Sequence, residues 1–139
     1  PAALQARYHV HASLHEEMPA ALAAADLVLA RAGASVLGEL PARGLPAVLV
    51  PYPYAGRHQE VNAAYLVERG AAVRVADERL AQELPGLLER LAAEPGTLRE
   101  MAQRARALAR PRAAWAVAQC LRELAVGSPW RRDDGRDHD

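Results

Sequence analysis

Short apolar runs alternate with helical patterns along this chain, and that alternation constrains the fold more than any other feature. Asp26-Leu27-Val28-Leu29-Ala30, Pro46-Ala47-Val48-Leu49-Val50 and Ala71-Ala72-Val73-Arg74-Val75 are short and apolar through their centres. They read as buried parallel strands, which need apolar side chains on both faces. Arg7-Tyr8-His9-Val10-His11 alternates polar with apolar residues and reads as a further strand. Between the runs, 16–25, 35–43 and 59–68 have helical patterns. Glu16 and Glu17 lie in the expected first turn of the first helix, with Pro19 near its start, and Gly44 and Gly70 follow the other two as stop signals. Strand starts recur roughly every 20 to 26 residues, the spacing of repeated βαβ units. Right-handed crossovers then give an α/β fold, a Rossmann-like parallel sheet with helices on both faces. After Val75 the strands stop. Helices are expected over 78–93, 97–109 and 112–125, with breaks at Glu94-Pro95-Gly96 and Arg110-Pro111 and a division or kink at Pro85. Residues 127–139 carry few apolar side chains and are expected to be a disordered tail, which leaves one domain over 1–126.

Composition narrows the function classes. The chain has 139 residues, 51% hydrophobic and 24% charged, which is one globular domain's worth. No apolar run approaches the ~18 residues of a membrane span. Seventeen basic residues balance seventeen acidic ones, which argues against a nucleic-acid binder. The single cysteine, Cys120, permits no internal disulfide and fits a reducing compartment. Every basic residue is Arg, and Phe and Ile are absent, a bias of the kind a GC-rich genome gives. The chain opens on Pro1 without a signal-peptide pattern, and we read it as a piece of a longer protein.

In parallel sheets, ligands bind beyond the carboxyl ends of the strands. Four turns occupy that position here, at 12–17, 31–35, 51–58 and 76–78. In Arg31-Ala32-Gly33-Ala34-Ser35, small residues open a helix, where free N–H groups attract phosphate. Ser35 and Glu39 share a helix face, and a carboxylate one turn in suits a pair of ribose hydroxyls. The alternative is that Gly33 only makes the turn, Ser35 caps the helix and Glu39 is solvated. The turn is no P-loop, since it lacks a Lys and a second Gly. His58, Gln59 and Asn62, the only Asn, start the next helix and suit sugar hydroxyls; ordinary helix-start polarity explains them equally well. His9 and His11 would share a strand face, but no third ligand accompanies them, which favours a structural role and no metal site. Cys120 has no positioned base and is not read as a nucleophile. The arginines between 99 and 112 read as solvated faces, with contact to anionic lipid as the other reading.

Taken in order, these residues resemble one family. Arg31-Ala32-Gly33-Ala34-Ser35-x-x-x-Glu39-Leu40 precedes Gly44-Leu45-Pro46-Ala47-x-Leu49-Val50-Pro51, then His58-Gln59-x-x-Asn62-Ala63 and Gly70-Ala71-Ala72. Upstream, Leu14-His15-Glu16-Glu17-Met18 precedes Ala24-Ala25-Asp26-Leu27. The set, spread over residues 6–124, is similar to the donor-binding half of the MurG family, the GT-B N-acetylglucosaminyltransferases of glycosyltransferase family 28. The resemblance implies two Rossmann-like domains facing across a cleft, with UDP-GlcNAc against this one. It implies that the backbone at His15 meets the uracil, with Leu14 and Met18 packing nearby. Gly33, Ala34, Ser35 and Val36 would line the diphosphate and sugar, Glu39 would hold the ribose, and His58 and Gln59 would hold the GlcNAc hydroxyls with Asn62 close by. Transfer to lipid I, giving lipid II for peptidoglycan, would be inverting and free of metal or other cofactor. The enzyme would work peripherally at the cytoplasmic face of the plasma membrane, with no nucleic-acid partner. The family's Gly-rich opening loop and its N-terminal acceptor domain, where the base and most membrane contact are expected, have no counterpart here. This chain alone is therefore expected to be inactive. Pro41, inside the helix of Glu39, also departs from the pattern. Two readings stay open beside the leading one: a stand-alone donor-binding subunit of another GT-B transferase, and a non-catalytic module that binds a UDP-sugar.

Overall fold

Alternation along one central strand divides the core in two. The computed structural model of the chain describes residues 5–54 and 57–126. Its elements, in chain order, are α1 (Met18–Ala24), β1 (Val28–Ala30), α2 (Val36–Arg43), β2 (Ala47–Leu49), α3 (His58–Glu68), β3 (Ala72–Arg74), a 3-10 turn (Asp77–Arg79), α4 (Leu80–Ala93), α5 (Pro95–Ala107) and α6 (Ala113–Ala125). The strands are parallel in the order β1-β2-β3, with Val28 opposite Ala47 and Ala47 opposite Ala72. β2 has a partner on each side and is buried at every residue. Ala47 and Leu49 join Val36 and Leu40 of α2 and Ala63 and Leu66 of α3 on one face. Val48 and Val50 join Val75, Leu87 and Leu91 of α4, and Met101 of α5, on the other. This is the Rossmann-like α/β arrangement expected from the spacing.

The chain divides into two compact units at Arg110. Everything from residue 5 through α5 belongs to the first. The second holds α6, where the Arg112 guanidinium lies 4.6 Å above the Trp115 ring. No helix among the described residues is long and apolar enough to cross a membrane.

Four local expectations are corrected. Residues 7–11 form no strand: no ladder pairs with them among the described residues, the Tyr8 N–H turns back to the Gln5 carbonyl at 3.2 Å, and Tyr8 and Val10 stand 76% and 75% exposed. Alternation supplies a face but not a ladder, and an unpaired extended segment keeps its hydrogen bonds with water. α1 is shorter than 16–25 and leaves Glu16 and Glu17 ahead of it, with Pro19 inside its first turn. α4 runs through Pro85 as one helix. Proline removes the donor to the Ala81 carbonyl, and both residues are exposed, so water can take that donor's place. α5 begins at Pro95 itself, where a missing N–H removes no intrahelical bond. The tail expected at 127–139 lies outside the described residues.

The two glycine stops are built alike. Gly44 and Gly70 adopt φ of 62° and 68°. Gly44 N–H donates to the Pro41 carbonyl at 2.9 Å and Leu45 N–H to that of Leu40 at 3.0 Å. Gly70 and Ala71 repeat this with Val67 and Leu66 at 2.8 and 2.9 Å. These are paired C-terminal caps that return the chain toward β2 and β3. Arg106 lies across Gly44 and Arg104 across Gly70, so each cap carries a cation from α5 at the negative end of a helix. An added Cβ on Gly70 would run into Arg104 Nη1, with Arg104 Cδ at 2.8 Å. Gly86, within α4, has no atom within 4 Å of such a Cβ and no positive φ. Urea unfolding should therefore separate the two: Gly70→Ala loses roughly 1–2 kcal/mol or more, while Gly86→Ala gains roughly 0.4–1 kcal/mol.

Candidate functional site

Three turns meet at the carboxyl end of the sheet. The first leaves β1 at Arg31 and enters α2. Its N–H groups at Gly33, Ala34 and Ser35 find no backbone acceptor among the described residues, while the carbonyls of Gly33, Ala34 and Ser35 already accept from Val36, Leu37 and Glu39. Free donors therefore gather at the start of α2. Gly33 does not have a positive φ, and a Cβ added there would meet nothing within 4 Å. Ser35 makes no side-chain cap bond. The turn thus requires neither a glycine nor a capping hydroxyl, and making the turn does not explain why Gly33 and Ser35 stand there. Glu39 is exposed in the first turn of α2, and no partner holds its carboxylate among the described residues. Pro41, two residues on, leaves α2 intact as far as Arg43.

The second turn runs from Val50 toward α3. His58 is the exposed first residue of α3, and Gln59 beside it is half-buried. Gln59 Oε1 accepts the Tyr52 N–H at 2.8 Å. A backbone amide only donates, so the oxygen must face it and the Gln59 NH₂ points elsewhere. Asn62, also half-buried, donates from Nδ2 to the Ala32 carbonyl at 3.0 Å. Asn62 is therefore a strut from α3 to the first turn, with its Oδ1 left over. Tyr52 and Tyr54 stack edge to face at 5.6 Å.

The upstream segment is more open. Ser13 Oγ and His15 Nε2 lie 3.1 Å apart, Leu14 is half-buried, and Met18 begins α1 at 38% exposure. His9 and His11 share no strand face, since no strand forms there. No group of three His, Cys, Asp or Glu side chains converges as a metal set among the described residues.

Several contacts at this end escaped the sequence reading. Arg31 reaches Asp77 Oδ1 at 2.5 Å, beyond β3, and sits 5.3 Å from the Tyr52 ring centre. Arg74 clasps Glu60 with two bonds of 2.8 and 2.7 Å, tying β3 to the start of α3. These pairs are 46 and 14 residues apart in sequence, and no local pattern announces them. A groove of about 750 Å³ opens at the opposite, amino ends of β1 and β2 between Leu22, Leu45 and Leu91, and holds none of the candidate side chains.

With this geometry in view, the chain matches the glycosyltransferase family 28 C-terminal domain over residues 5–117, and it belongs to that family. Among its relatives, the UDP-N-acetylglucosamine--N-acetylmuramyl-(pentapeptide) pyrophosphoryl-undecaprenol N-acetylglucosamine transferase of Roseiflexus sp. is 50% identical over 91% of this chain and 33% of its own length. The enzyme of the same name from Desulforudis audaxviator is 48% identical over 84% of the chain and 32% of its own length. The crystal structure of Acinetobacter baumannii MurG superposes with a TM-score of 0.71 at 34% identity, covering 79% of this chain and 32% of that one. The chain spans about a third of the length of the relatives it matches.

Two outcomes follow from the geometry. Gly33→Ala should unfold within about 0.5 kcal/mol of the parent in urea, as a substitution into open space does. The second concerns acid. The Arg74 hydrogen bonds hold the Glu60 carboxyl below its ordinary value of 4.5. Above 4.5 the ion pair's contribution is fully present; below it the unfolded chain binds a proton that folded Glu60 refuses, and stability falls as pH drops through the lowered value. Glu60→Gln should flatten the acid limb of stability measured from about pH 6 to about pH 3. An unchanged slope would assign that limb to other carboxylates.

Proposed function

We propose that this chain is the donor-binding part of an inverting N-acetylglucosaminyltransferase that takes GlcNAc from UDP-GlcNAc to lipid I, forming lipid II for peptidoglycan. The observation that carries the reading is the start of α2. A glycine that neither the fold nor the turn needs stands among free N–H groups, in a chain whose relatives are named for this transfer. In this reading the diphosphate lies against Gly33, Ala34, Ser35 and Val36, and the backbone N–H groups meet the charge that develops as UDP leaves. Glu39 accepts the two ribose hydroxyls. His58 and Gln59 meet the GlcNAc hydroxyls, while Asn62 acts through the Ala32 carbonyl. The uracil edge meets the backbone near His15, beside Leu14 and Met18.

The C4 hydroxyl of the lipid-linked MurNAc attacks the anomeric carbon from the face opposite UDP. The bond from that carbon to the diphosphate oxygen breaks, configuration inverts, and the hydroxyl proton passes to a base outside this donor part. The reading assigns no cofactor. In this reading the lipid-linked acceptor brings the enzyme to the membrane surface, peripherally and on the cytoplasmic face, with acceptor and bilayer contacts mainly outside these residues.

Calorimetry of the chain with UDP and UDP-GlcNAc tests the donor reading. Glu39→Ala should weaken both by about 1.5–3 kcal/mol, the worth of charged hydrogen bonds, or roughly tenfold to a hundredfold. A 2′-deoxyribose donor should lose most of that sensitivity. Equal loss with both donors would show Glu39 acting through the fold, and no binding by the parent chain would overturn the reading.

A further inference from the structure

The Arg31 guanidinium joins the ends of all three strands. It leaves the chain just after β1, approaches the Val50 carbonyl after β2 at 3.5 Å, faces the Tyr52 ring, and ends on Asp77 after β3. Val50 and Tyr52 flank Pro51, which is buried and whose φ is fixed by its ring. Holding the residues on both sides of Pro51 fixes the direction of the Tyr52 N–H. That N–H is the donor that takes Gln59 Oε1. The amide cannot turn over while the donor stays in place, because its NH₂ would then face another N–H. Gln59 is thereby left with its two N–H donors free and one of the two lone pairs of its oxygen taken.

We propose that Arg31, anchored by Asp77, is a positioning residue that turns the Gln59 NH₂, as hydrogen-bond donor, toward the sugar of the bound nucleotide sugar. The inference rests on the donor-binding reading given above and adds a direction to it: the hydroxyl read by Gln59 accepts. An exposed ion pair adds little to stability, and both partners here are partly exposed, with side chains 48% and 33% accessible. The role of this pair is orientation. Its loss leaves the sheet standing and lets the Tyr52 N–H wander, so Gln59 loses its reason to face one way. Asn62 holds the neighbouring Ala32 carbonyl independently, so the first turn keeps its own tie to α3.

The test measures UDP and UDP-GlcNAc affinity for the chain with Arg31→Met, Asp77→Asn, Gln59→Ala and the double variant Arg31→Met/Gln59→Ala. Arg31→Met should weaken UDP-GlcNAc relative to UDP by roughly three- to tenfold, about one hydrogen bond, with Asp77→Asn in the same direction. The double variant should lose no more than Gln59→Ala alone, since both changes remove the same contact. A merely structural role would weaken both ligands alike, and additive losses would mean that Arg31 does not act through Gln59; either result overturns the proposal. A second measurement needs no ligand. Amide hydrogen exchange at Tyr52 should accelerate in Arg31→Met and in Gln59→Ala, but not in Arg69→Met, whose guanidinium lies over Tyr65 instead. If the parent binds neither ligand, the donor reading fails and the exchange of Tyr52 still decides the brace. Unchanged exchange in Arg31→Met overturns the brace even where the chain binds donor.

Discussion

The central strand β2 has hydrogen-bonded neighbours on both edges and helices on both faces, so none of its side chains can reach water. Everything else follows from that confinement. Its residues must be apolar without alternation, which is why Ala47, Val48 and Leu49 all qualify. Its odd and even positions then serve two separate clusters, and a slip of one residue would exchange them wholesale. A strand so confined cannot carry chemistry itself. It can only hold its neighbours and their turns at fixed positions: the turn after β1 carries Arg31 and the free donors of α2, and the turn after β2 leads to Gln59.

α5 completes the arrangement from one side. Ala105 is 1% exposed and packs into the cluster of α2 and α3, with an arginine before and after it. A small residue at that point lets α5 approach closely enough for Arg104 and Arg106 to lie across the two glycine caps. Those arginines read in the sequence as a solvated basic face. Both are exposed, as that reading has it, and their stems also lie across the two glycine caps, at the negative ends of two helices. Arg104 is shared further with Glu100 on its own helix.

Much of this was legible in the residues, for reasons of range. The three paired strands were legible because burial on both faces leaves a continuous apolar run. The ends of α2 and α3 were legible because a left-handed residue after a helix strongly favours glycine. The 7–11 segment misled because alternation records a face and says nothing of whether a neighbour exists to pair with. Pro85 does not divide α4, since it lies near the helix start with the Ala81 carbonyl open to water. At the site, Gly33, Glu39, His58 and Gln59 lie at the strand ends where the turn positions put them. Asn62 also ties α3 to the first turn, and that was not legible, since its hydrogen bond goes to a carbonyl 30 residues away that no spacing rule addresses. Arg31 with Asp77 was invisible for the same reason: ion pairs between distant turns leave no period in the sequence.

On the proposed donor-binding reading, the pairing of Arg31 also decides what kind of anion site this end of the sheet would be. A free guanidinium beside the α2 start would attract any phosphate from a distance and hold it loosely. Here its charge is met by Asp77, and Glu60 and Arg74 neutralise each other nearby. The attraction left at the turn comes chiefly from backbone N–H groups and the positive end of α2, which act over about one helical turn and demand close approach. Close approach is what the small residues Ala32, Gly33 and Ala34 permit. On the proposed donor-binding reading, a site of this construction would discriminate by contact geometry, and the orientation of each neighbouring donor, Gln59 among them, would carry its selectivity.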